Sequence, residues 1–420
     1  VTPELSGLVS WTDEEEIFGA SFSGSFSKRE SSSTIADVAE WRNSLFDGRI
    51  PSQSDDIMLT NPPTKYDAYQ LPSDTAYRMW DRTRERSNAI LTLQYRPIDS
   101  VTTTFDYTYS KLDQEQQGTE LSIWMDSYKS DITFTEGLNP SPLYYAEDRI
   151  EQAPRDIASK QKFRNSSTEG AAIGLNIAWE LNDNLTLALD VNDSSSESSP
   201  TSSLGNDVTF GIGSNVLSQQ GATFGASRIP AINIEFDDCD SRIGLNCNNK
   251  FDAEDLGSSI YQKNHAYNTN DITQIRIDGT WEFEEGKIDF GVESRAMDNH
   301  SVQSGNNQEM GNWGVNNPGE FEDGLLSAID FNDSLDDYKT AGWTQAFRGD
   351  TAQLAQWAEA KYGTDLGRET ATGTNRRIEE DVTAFYVKGS YAGEIANMPY
   401  NVSAGLRYES TDTTSTANIA

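Results

Sequence analysis

Short segments in which apolar and polar residues alternate recur along this chain, in pairs joined by short turns. From Ala89 to Tyr95 every second residue is apolar, and after a turn the alternation resumes from Val101 to Ser110. Successive side chains of a β-strand point to opposite faces, so each pair predicts a hairpin with one apolar and one polar face. This pattern restricts the chain to antiparallel β-structure whose two sides differ chemically.

Ten strands in five hairpins are predicted in this way. They run about Leu5 to Trp11 and Phe18 to Ser27, Ala89 to Tyr95 and Val101 to Ser110, Ile173 to Glu180 and Leu185 to Asn192, Gln274 to Phe283 and Ile288 to Glu293, and Val382 to Tyr391 and Val402 to Glu409. The pattern does not assign the facing of the segment from Val382 to Tyr391. The polar rows carry charged residues that a soluble core rarely buries unless they are paired. These are Asp106, Asp190, Arg276, Asp278, Asp289, Glu293, Arg295 and Arg407.

The connections between hairpins are long, whereas the turns within them are short. The long connections run about Glu30 to Arg86, Gln114 to Ser167, Ser195 to Asn270 and Gln303 to Arg376. Bacterial outer-membrane barrels have short periplasmic turns, long extracellular loops and aromatic girdles. Trp11, Trp179 and Trp281 lie on strands beside the short turns, where a girdle is expected. The fold class predicted is therefore all-β, an antiparallel transmembrane β-barrel, with residues 1–420 as part of one barrel domain.

The long connections carry signals of ordered structure. From Thr34 to Phe46, and again from Asp350 to Tyr362, apolar residues at helical spacing follow a capping residue and precede a glycine, which predicts two helices. The segments Asp207 to Ile212 and Ile229 to Phe236 are candidates for short extra strands. We therefore expect partly helical loops that form a surface suited to binding.

The charge balance excludes several functions. With 32 Lys and Arg against 67 Asp and Glu, the formal net charge is −35, and no basic run offsets phosphate repulsion, so no nucleic-acid partner is expected. The chain contains no stretch of about 18 apolar residues that would predict a membrane-spanning helix. His265 and His300 are its two histidines, and neither stands in a nucleophile motif. The protein is therefore not expected to be an enzyme.

Aromatic residues in the long connections are candidates for ligand binding. The set consists of Trp124, Tyr128, Tyr144, Tyr145, Trp313 and Trp343. At the mouth of a barrel their rings could stack on sugars or other flat ligands. The alternative is that they pack the loops together.

Two cysteines lie in one acidic loop. Cys239 and Cys247 are eight residues apart, and a local disulfide, hence an oxidising compartment, is the favoured interpretation. Six carboxylates surround or follow them, and clustered oxygen ligands suit a structural Ca²⁺. They are Asp237, Asp238, Asp240, Asp252, Glu254 and Asp255. A solvated acidic loop is the alternative, and no other cofactor is expected.

Two regions resemble the barrel strands of TonB-dependent receptors. They read Asp81-Arg82-Thr83-Arg84-Glu85-Arg86-Ser87-Asn88, continuing through Pro97 and Val101 to Ser110, and Glu379-Glu380-Asp381-Val382-Thr383-Ala384-Phe385-Tyr386-Val387, continuing through Met398 to Val402 and Gly405 to Thr411. The rest of the chain resembles these receptors in its order of strands, short turns and long loops rather than in its amino-acid sequence.

The resemblance implies a barrel of 22 strands in the outer membrane of a Gram-negative bacterium, about ten of which lie in this chain. It implies an N-terminal plug domain, energy relayed by the TonB complex, and import of a scarce nutrient, either an oligosaccharide or a metal chelate. On this basis we expect the chain to be an internal barrel segment, without the plug, the N-terminal segment that contacts TonB and the C-terminal strands. Outer-membrane lipid, the plug, the TonB complex and the nutrient are then the expected partners.

The acidic loops favour a neutral oligosaccharide or a cationic complex as the nutrient, although lysines and arginines in the lumen could reverse that preference locally. Two other functions remain open on the sequence: a passive outer-membrane porin, and a secreted β-rich binding protein or adhesin. A porin predicts that no plug is encoded upstream of Val1, and a secreted protein predicts that its two strand faces tolerate charge equally.

Overall fold

The computed structural model describes residues 3–125, 128–148, 157–240, 246–311, 316–363 and 373–419. Nearly all of the regular structure in these ranges is β-strand, and one α-helix is present among the described residues. The elements are β1 (Glu4–Thr12), β2 (Phe18–Ala39), β3 (Arg42–Leu45), β4 (Gln53–Thr60), β5 (Ala68–Leu71), β6 (Asp74–Ile98), β7 (Val101–Trp124), β8 (Lys129–Phe134), β9 (Pro142–Asp148), β10 (Ile157–Asn182), β11 (Leu185–Ser199), β12 (Asp207–Ser214), β13 (Leu217–Thr223), β14 (Ala231–Phe236), β15 (Gly257–Phe283), β16 (Gly286–Glu309), β17 (Ser327–Asp330), β18 (Gln345–Arg348), α1 (Thr351–Tyr362), β19 (Thr374–Ile395) and β20 (Met398–Ile419).

One 11-stranded antiparallel sheet contains all ten predicted strands. Its order is β1-β2-β6-β7-β10-β11-β15-β16-β19-β20, and β12 fills the space between β10 and β15 beyond the end of β11. The five predicted hairpins are confirmed, because each predicted pair is joined by a short turn and hydrogen-bonded along its length. The predicted extra strands are also confirmed, as β12 and β14. A separate small sheet has the order β14-β13-β9-β8-β4.

The long strands extend well past their predicted ends, so the connections are shorter than the ranges 30–86, 114–167, 195–270 and 303–376. The helix predicted from Thr34 to Phe46 is wrong. β2 continues to Ala39 in unbroken register with β6, and β3 follows it. The β-branched Ile35 and Val38 suit a strand, and pairing with a long neighbouring strand prevails over a local helical spacing.

The second predicted helix is confirmed as α1. The side chain of Asp350 accepts a hydrogen bond from the backbone N–H of Gln353 at 2.9 Å, which caps the first turn. Gly363 ends the helix with a φ of +67°, in the left-handed region that glycine adopts without strain. No helix among the described residues has both the length and the apolar composition needed to cross a membrane.

The register continues each face across the sheet. We call the side that carries Leu91 and Leu93 the apolar face, and the side that carries Thr92 and Gln94 the polar face. A row of directly paired residues on the apolar face runs through Phe18, Tyr95, Thr103, Ile177, Leu189, Ile277, Val292, Phe385 and Tyr408. The same pairing assigns the facing of β19, which the sequence left open, because Phe385 and Val387 join this face.

Between the short turns and a belt of charged residues, the apolar face carries no charged side chain; we call this zone the apolar band. It is about ten residues tall, the length at which a tilted strand crosses a bilayer. The first charged residues on this face, moving away from the turns, are Lys28, Glu85, Lys111, Glu169, Asp193, Asp271, Asp298, Asp381 and Asp412. Trp11, Trp179 and Trp281 are exposed at the turn side of the band, as predicted.

The hydrophobic core lies at the other end of the sheet, beyond the charged belt. None of the described residues of the apolar band belongs to it. It forms where β13, β14, β17, β18 and α1, which we call the loop layer, cover the same side of the sheet. Tyr77 donates a hydrogen bond to the backbone oxygen of Pro230 at 2.7 Å, and Gln161 donates one to that of Phe347 at 2.7 Å. The polar face opposite the loop layer remains uncovered by these elements.

A close cross-strand contact in the band gives a test of the register. A Cβ added at Gly279 would lie 2.2 Å from Cζ of Phe290, whose ring covers this glycine from the neighbouring strand. We expect Gly279→Val to lower the free energy of unfolding by about 1–3 kcal/mol through overpacking, measured by guanidinium unfolding. The matched control is Gly389→Val on the same face, where a Cβ meets nothing within 4 Å. Equal effects of the two substitutions would contradict this register.

Candidate ligand-binding face

A buried carboxylate with three cationic partners lies on the polar face, opposite the loop layer. The register places Arg78 of β6, Glu120 of β7 and Lys160 of β10 side by side. Glu120 is 2% exposed. Its carboxylate lies 2.6 Å from Nε of Arg78, 3.3 Å from Nζ of Lys160 and 2.9 Å from Nζ of Lys162. One carboxylate therefore joins three long strands.

The surrounding charges fix the protonation state of Glu120. Burial by itself raises the pKa of this carboxyl group, but Lys160, Lys162 and Arg78 together outweigh it and lower the pKa to about 2. Glu120 is therefore ionised at neutral pH. Arg78 also pairs with Asp37, so the cluster extends to β2.

Two tryptophans flank this cluster on the polar face. The guanidinium of Arg164 lies 5.0 Å from the ring centroid of Trp80, and Nζ of Lys160 lies 5.1 Å from that of Trp124. Both are cation–π distances. Trp80 packs against Gly118, where a Cβ would lie 2.7 Å from the ring, so a residue without a side chain is required there. Trp124 is exposed and presents an aromatic surface beside a fixed cation, whereas Trp80 is buried.

An open cleft of about 690 Å³ lies next to this cluster. It forms where β11 ends and β12 begins, between β10 and β15. The crossing segment is held by Asn165, which donates to the backbone oxygen of Gly205 at 2.6 Å and accepts from the backbone N–H of Thr201 at 2.6 Å. Most of the side chains around the cleft are amides and hydroxyls. They include Gln114, Gln116, Asn206, Asn264, Gln303 and Ser304, together with Arg164 and Asp207.

The polar face therefore combines amide and hydroxyl groups, which donate and accept hydrogen bonds, with cationic side chains. No protein-family model, curated protein or solved structure matches this chain. The geometry of the polar face therefore carries the functional argument. Its fixed cations, the exposed ring of Trp124 and the amide-lined cleft form a surface suited to holding a polar small molecule.

The structure separates the six aromatic residues predicted to bind ligand. Trp124 lies at the polar-face cluster, Tyr128 is exposed, and Tyr144 is half-buried in β9. Tyr145 is a correction: it is fully buried and donates a hydrogen bond to Glu147 at 2.7 Å, so no ligand can stack on it. Trp313 lies outside the described residues.

Trp343 is a second correction, because it packs the loop layer together. Its ring lies 5.8 Å from that of Phe236 and 5.5 Å from that of Phe251, both edge-on. Its indole N–H donates to the backbone oxygen of Gln345 at 2.9 Å. The alternative interpretation of the aromatics, that they pack the loops, therefore applies to Tyr145 and Trp343.

The predicted disulfide between Cys239 and Cys247 is present, with an S–S distance of 2.07 Å. Cys239 lies beside Asp237 and Asp238, but its sulfur is bonded and cannot also bind a metal as a thiolate. Asp238 is buried and accepts hydrogen bonds from the backbone N–H groups of Asn248 and Asn249, both at 2.7 Å. It therefore holds the acidic loop in shape.

The other acidic residues predicted to bind metal surround a one-turn helix. Asp252 caps this helix and accepts from the backbone N–H of Glu254 at 3.0 Å. Asp255 is buried, and burial together with the negative charges of Asp252, Asp238 and Glu254 raises its pKa to about 6. Asp240 lies at the edge of the described residues. Calcium binding by this group stays a prediction.

Sequence reasoning missed the cluster around Glu120. Its members Arg78, Glu120, Lys160 and Lys162 are distributed over about eighty residues, and all fell within ranges predicted as loops. A signal was present beside Arg78: from Asp81 to Arg86 every second residue is an arginine and both acids stand at the positions between, so each charge sign falls on its own face.

Removing the central carboxylate should destabilise the sheet. We expect Glu120→Gln to cost about 3–5 kcal/mol in the free energy of unfolding at pH 7, because Lys160 and Lys162 lose their carboxylate partner and Arg78 keeps only its contacts with Asp37 and Asp74. In the wild type this contribution is present above the ordinary pKa of a glutamate and is lost as pH falls towards 2, since the folded-state pKa is lowered. Guanidinium unfolding at several pH values measures both effects. Glu115→Gln, an exposed position on the opposite face of β7, should change stability by less than about 0.5 kcal/mol.

The acidic loop should respond to pH in the opposite sense. The folded-state pKa of Asp255 is raised, so the folded state binds this proton more tightly than the unfolded state does. Local stability is then highest in acid and is lost as pH rises through about 6. Hydrogen exchange of residues 246–256 should show more protection at pH 5 than at pH 7, and Asp255→Asn should remove this difference. Unchanged pH dependence in the variant would assign the effect to another group.

Proposed function

We propose that this chain forms part of the wall of an outer-membrane β-barrel and serves an energised importer of a scarce nutrient, as its resemblance to TonB-dependent receptors implies. The observation that carries the proposal is the apolar band. It extends over all ten long-sheet strands, contains no charged side chain, and lies on one face only. The opposite face carries charges at the same height.

The band needs an apolar environment. One row of paired residues in the middle of the sheet contains Ile277, Val292 and Phe385. Their side chains are 46%, 47% and 56% exposed, so pairing with neighbouring strands does not cover them. Soluble monomers rarely expose a continuous apolar surface of such extent. Hydrocarbon would cover the band, and the turn-side tryptophans and the charged belt would then lie at the two interfaces.

The polar face suits an aqueous or plugged lumen. Its charges form ion pairs within and between strands: Nη2 of Arg276 lies 3.3 Å from Asp190 on the neighbouring β11, and its Nε lies 2.8 Å from Asp278 on the same strand. Arg407 of β20 lies 3.7 Å from Glu293 of β16, so this contact reaches across the intervening strand β19. Exposed ion pairs add little stability by themselves, but they keep charged side chains compatible with a wet interior.

Energised import rests on the resemblance, and the polar face with its cleft supplies a place where a nutrient could bind on the way in. On this proposal the partners are outer-membrane lipid, a plug domain, the TonB energy-coupling complex and the nutrient. The test is uptake by cells that express the whole gene, with and without the inner-membrane energy-coupling proteins. Uptake that needs those proteins supports the importer, and uptake that does not would make the protein a passive porin.

Two adjacent substitutions test the assignment of the faces. We expect Leu91→Arg to prevent membrane insertion, because an arginine facing mid-bilayer lipid costs about 2–4 kcal/mol. Thr92→Arg should be tolerated, because Thr92 lies on the polar face and donates a hydrogen bond to Asp106 at 2.5 Å. The amount of each variant in the outer-membrane fraction, with heat-dependent gel mobility as the sign of a folded barrel, measures the outcome. Equal behaviour of the two variants would favour a secreted β-protein.

A further inference from the structure

We propose that the polar face, beyond the apolar band, binds a small polyanion that carries two or more carboxylate or phosphate groups. The inference rests on the proposed function, because it takes the polar face to line the lumen. The residues that carry it are four arginines, Arg29, Arg82, Arg84 and Arg86, which we call the arginine lane.

The register places the lane on one surface. Arg82, Arg84 and Arg86 alternate along β6 and share the polar face with Arg78 and Trp80. Arg29 of β2 is directly opposite Arg84. Residues two apart along a strand are separated by roughly 6.6 Å, so adjacent guanidinium groups can contact different oxygens of one small molecule.

The lane lacks acidic partners. Arg29, Arg84 and Arg86 are exposed, and within the described ranges no carboxylate lies within salt-bridge distance of them. Arg82 donates from Nε to the neutral side chain of Gln116 at 3.1 Å. A chain with 67 acidic and 32 basic residues has ample acids to neutralise these four arginines, yet leaves them unpaired.

This arrangement of arginines destabilises the folded sheet, so a contribution to stability does not explain it. Like charges directly opposite each other on neighbouring strands are destabilising, and Arg29 and Arg84 are such a pair. The acids of the same stretch of β6, Asp81 and Glu85, point to the other face, where Glu85 pairs with Lys28 at 2.8 Å. Along this stretch of β6 the acids therefore lie on one face and the arginines on the other, the polar face.

The surroundings of the lane fit an anionic ligand. Arg82 and Arg84 are paired in the register with Gln116 and Gln114, which line the amide-rich cleft, so neutral hydrogen-bond donors continue the surface. A guanidinium binds carboxylate or phosphate with two parallel hydrogen bonds. Overall, a net charge of −35 repels anions, so a local concentration of unpaired arginines is what an anion site in this protein requires. The lane reverses the preference for a neutral or cationic ligand that the acidic loops suggested.

Calorimetry on the purified, folded full-length protein in detergent tests the proposal, with citrate as the carboxylate probe, pyrophosphate as the phosphate probe and maltohexaose as the neutral probe. We expect at least one anion to bind, with an affinity that falls as salt rises. The double variant Arg84→Gln and Arg86→Gln should weaken that binding about tenfold or more, because two charged hydrogen-bonding groups are removed. The matched control is Lys28→Gln with Lys111→Gln, two cations on the apolar-face side of the same sheet, which should change affinity less than about twofold.

The outcomes separate cleanly. Binding of citrate alone or of pyrophosphate alone supports the proposal and identifies the anionic group, and partial recovery by Arg84→Lys with Arg86→Lys supports contact by the charges themselves. No binding of either anion, or equal weakening by the control pair, would overturn it. Membrane insertion is scored separately: a protein that inserts but binds no anion loses only this inference, and one that binds anion through the lane but never inserts loses only the proposed function.

Discussion

Unbroken hydrogen-bonded register across ten long strands is the constraint on which the rest of this structure depends. Because side chains alternate with a period of two, continuous pairing turns ten separate alternations into two continuous faces. A slip of one residue in any strand would move charged residues such as Asp190 or Arg276 into the apolar band. Close contacts such as that of Phe290 with Gly279 help to fix the register where the apolar face has no opposing layer.

The two ends of the sheet gain their stability from different sources. Beyond the charged belt, the loop layer covers the sheet and buries Tyr77, Leu121, Phe210 and other residues in an ordinary hydrophobic core. Towards the short turns no described element covers the apolar band, so its favourable burial has to come from the surroundings. On the proposed function a bilayer would supply such surroundings, and a barrel strand needs apolar residues only at every second position, which is compatible with a mean hydropathy of −0.64.

The net charge of the whole chain describes this protein poorly, because acidic and basic residues are distributed unequally between the two faces of the sheet and along the length of the strands. The polar face concentrates cations where the long strands extend past the band, first around the buried carboxylate of Glu120 and then along the arginine lane. The paired cluster links β6, β7 and β10 through one carboxylate, whereas the arginines of the lane have no carboxylate partner among the described residues. This contrast between satisfied and unsatisfied cations, within a few residues of one another, is what points to a ligand.

The sequence by itself determined the ten strands, their pairing in five hairpins, the two faces, helix α1 and the disulfide. These depend on alternation, capping residues and short spacings, all of which are local. Only the tertiary structure decided where the strands end, since β2 continues through Ile35 and Val38 by pairing with β6, and a local helical spacing could not compete. It also decided that Tyr145 and Trp343 pack the core, and it brought together Arg78, Glu120 and Lys160, because contacts between residues distant in the chain depend on register, which no local pattern specifies.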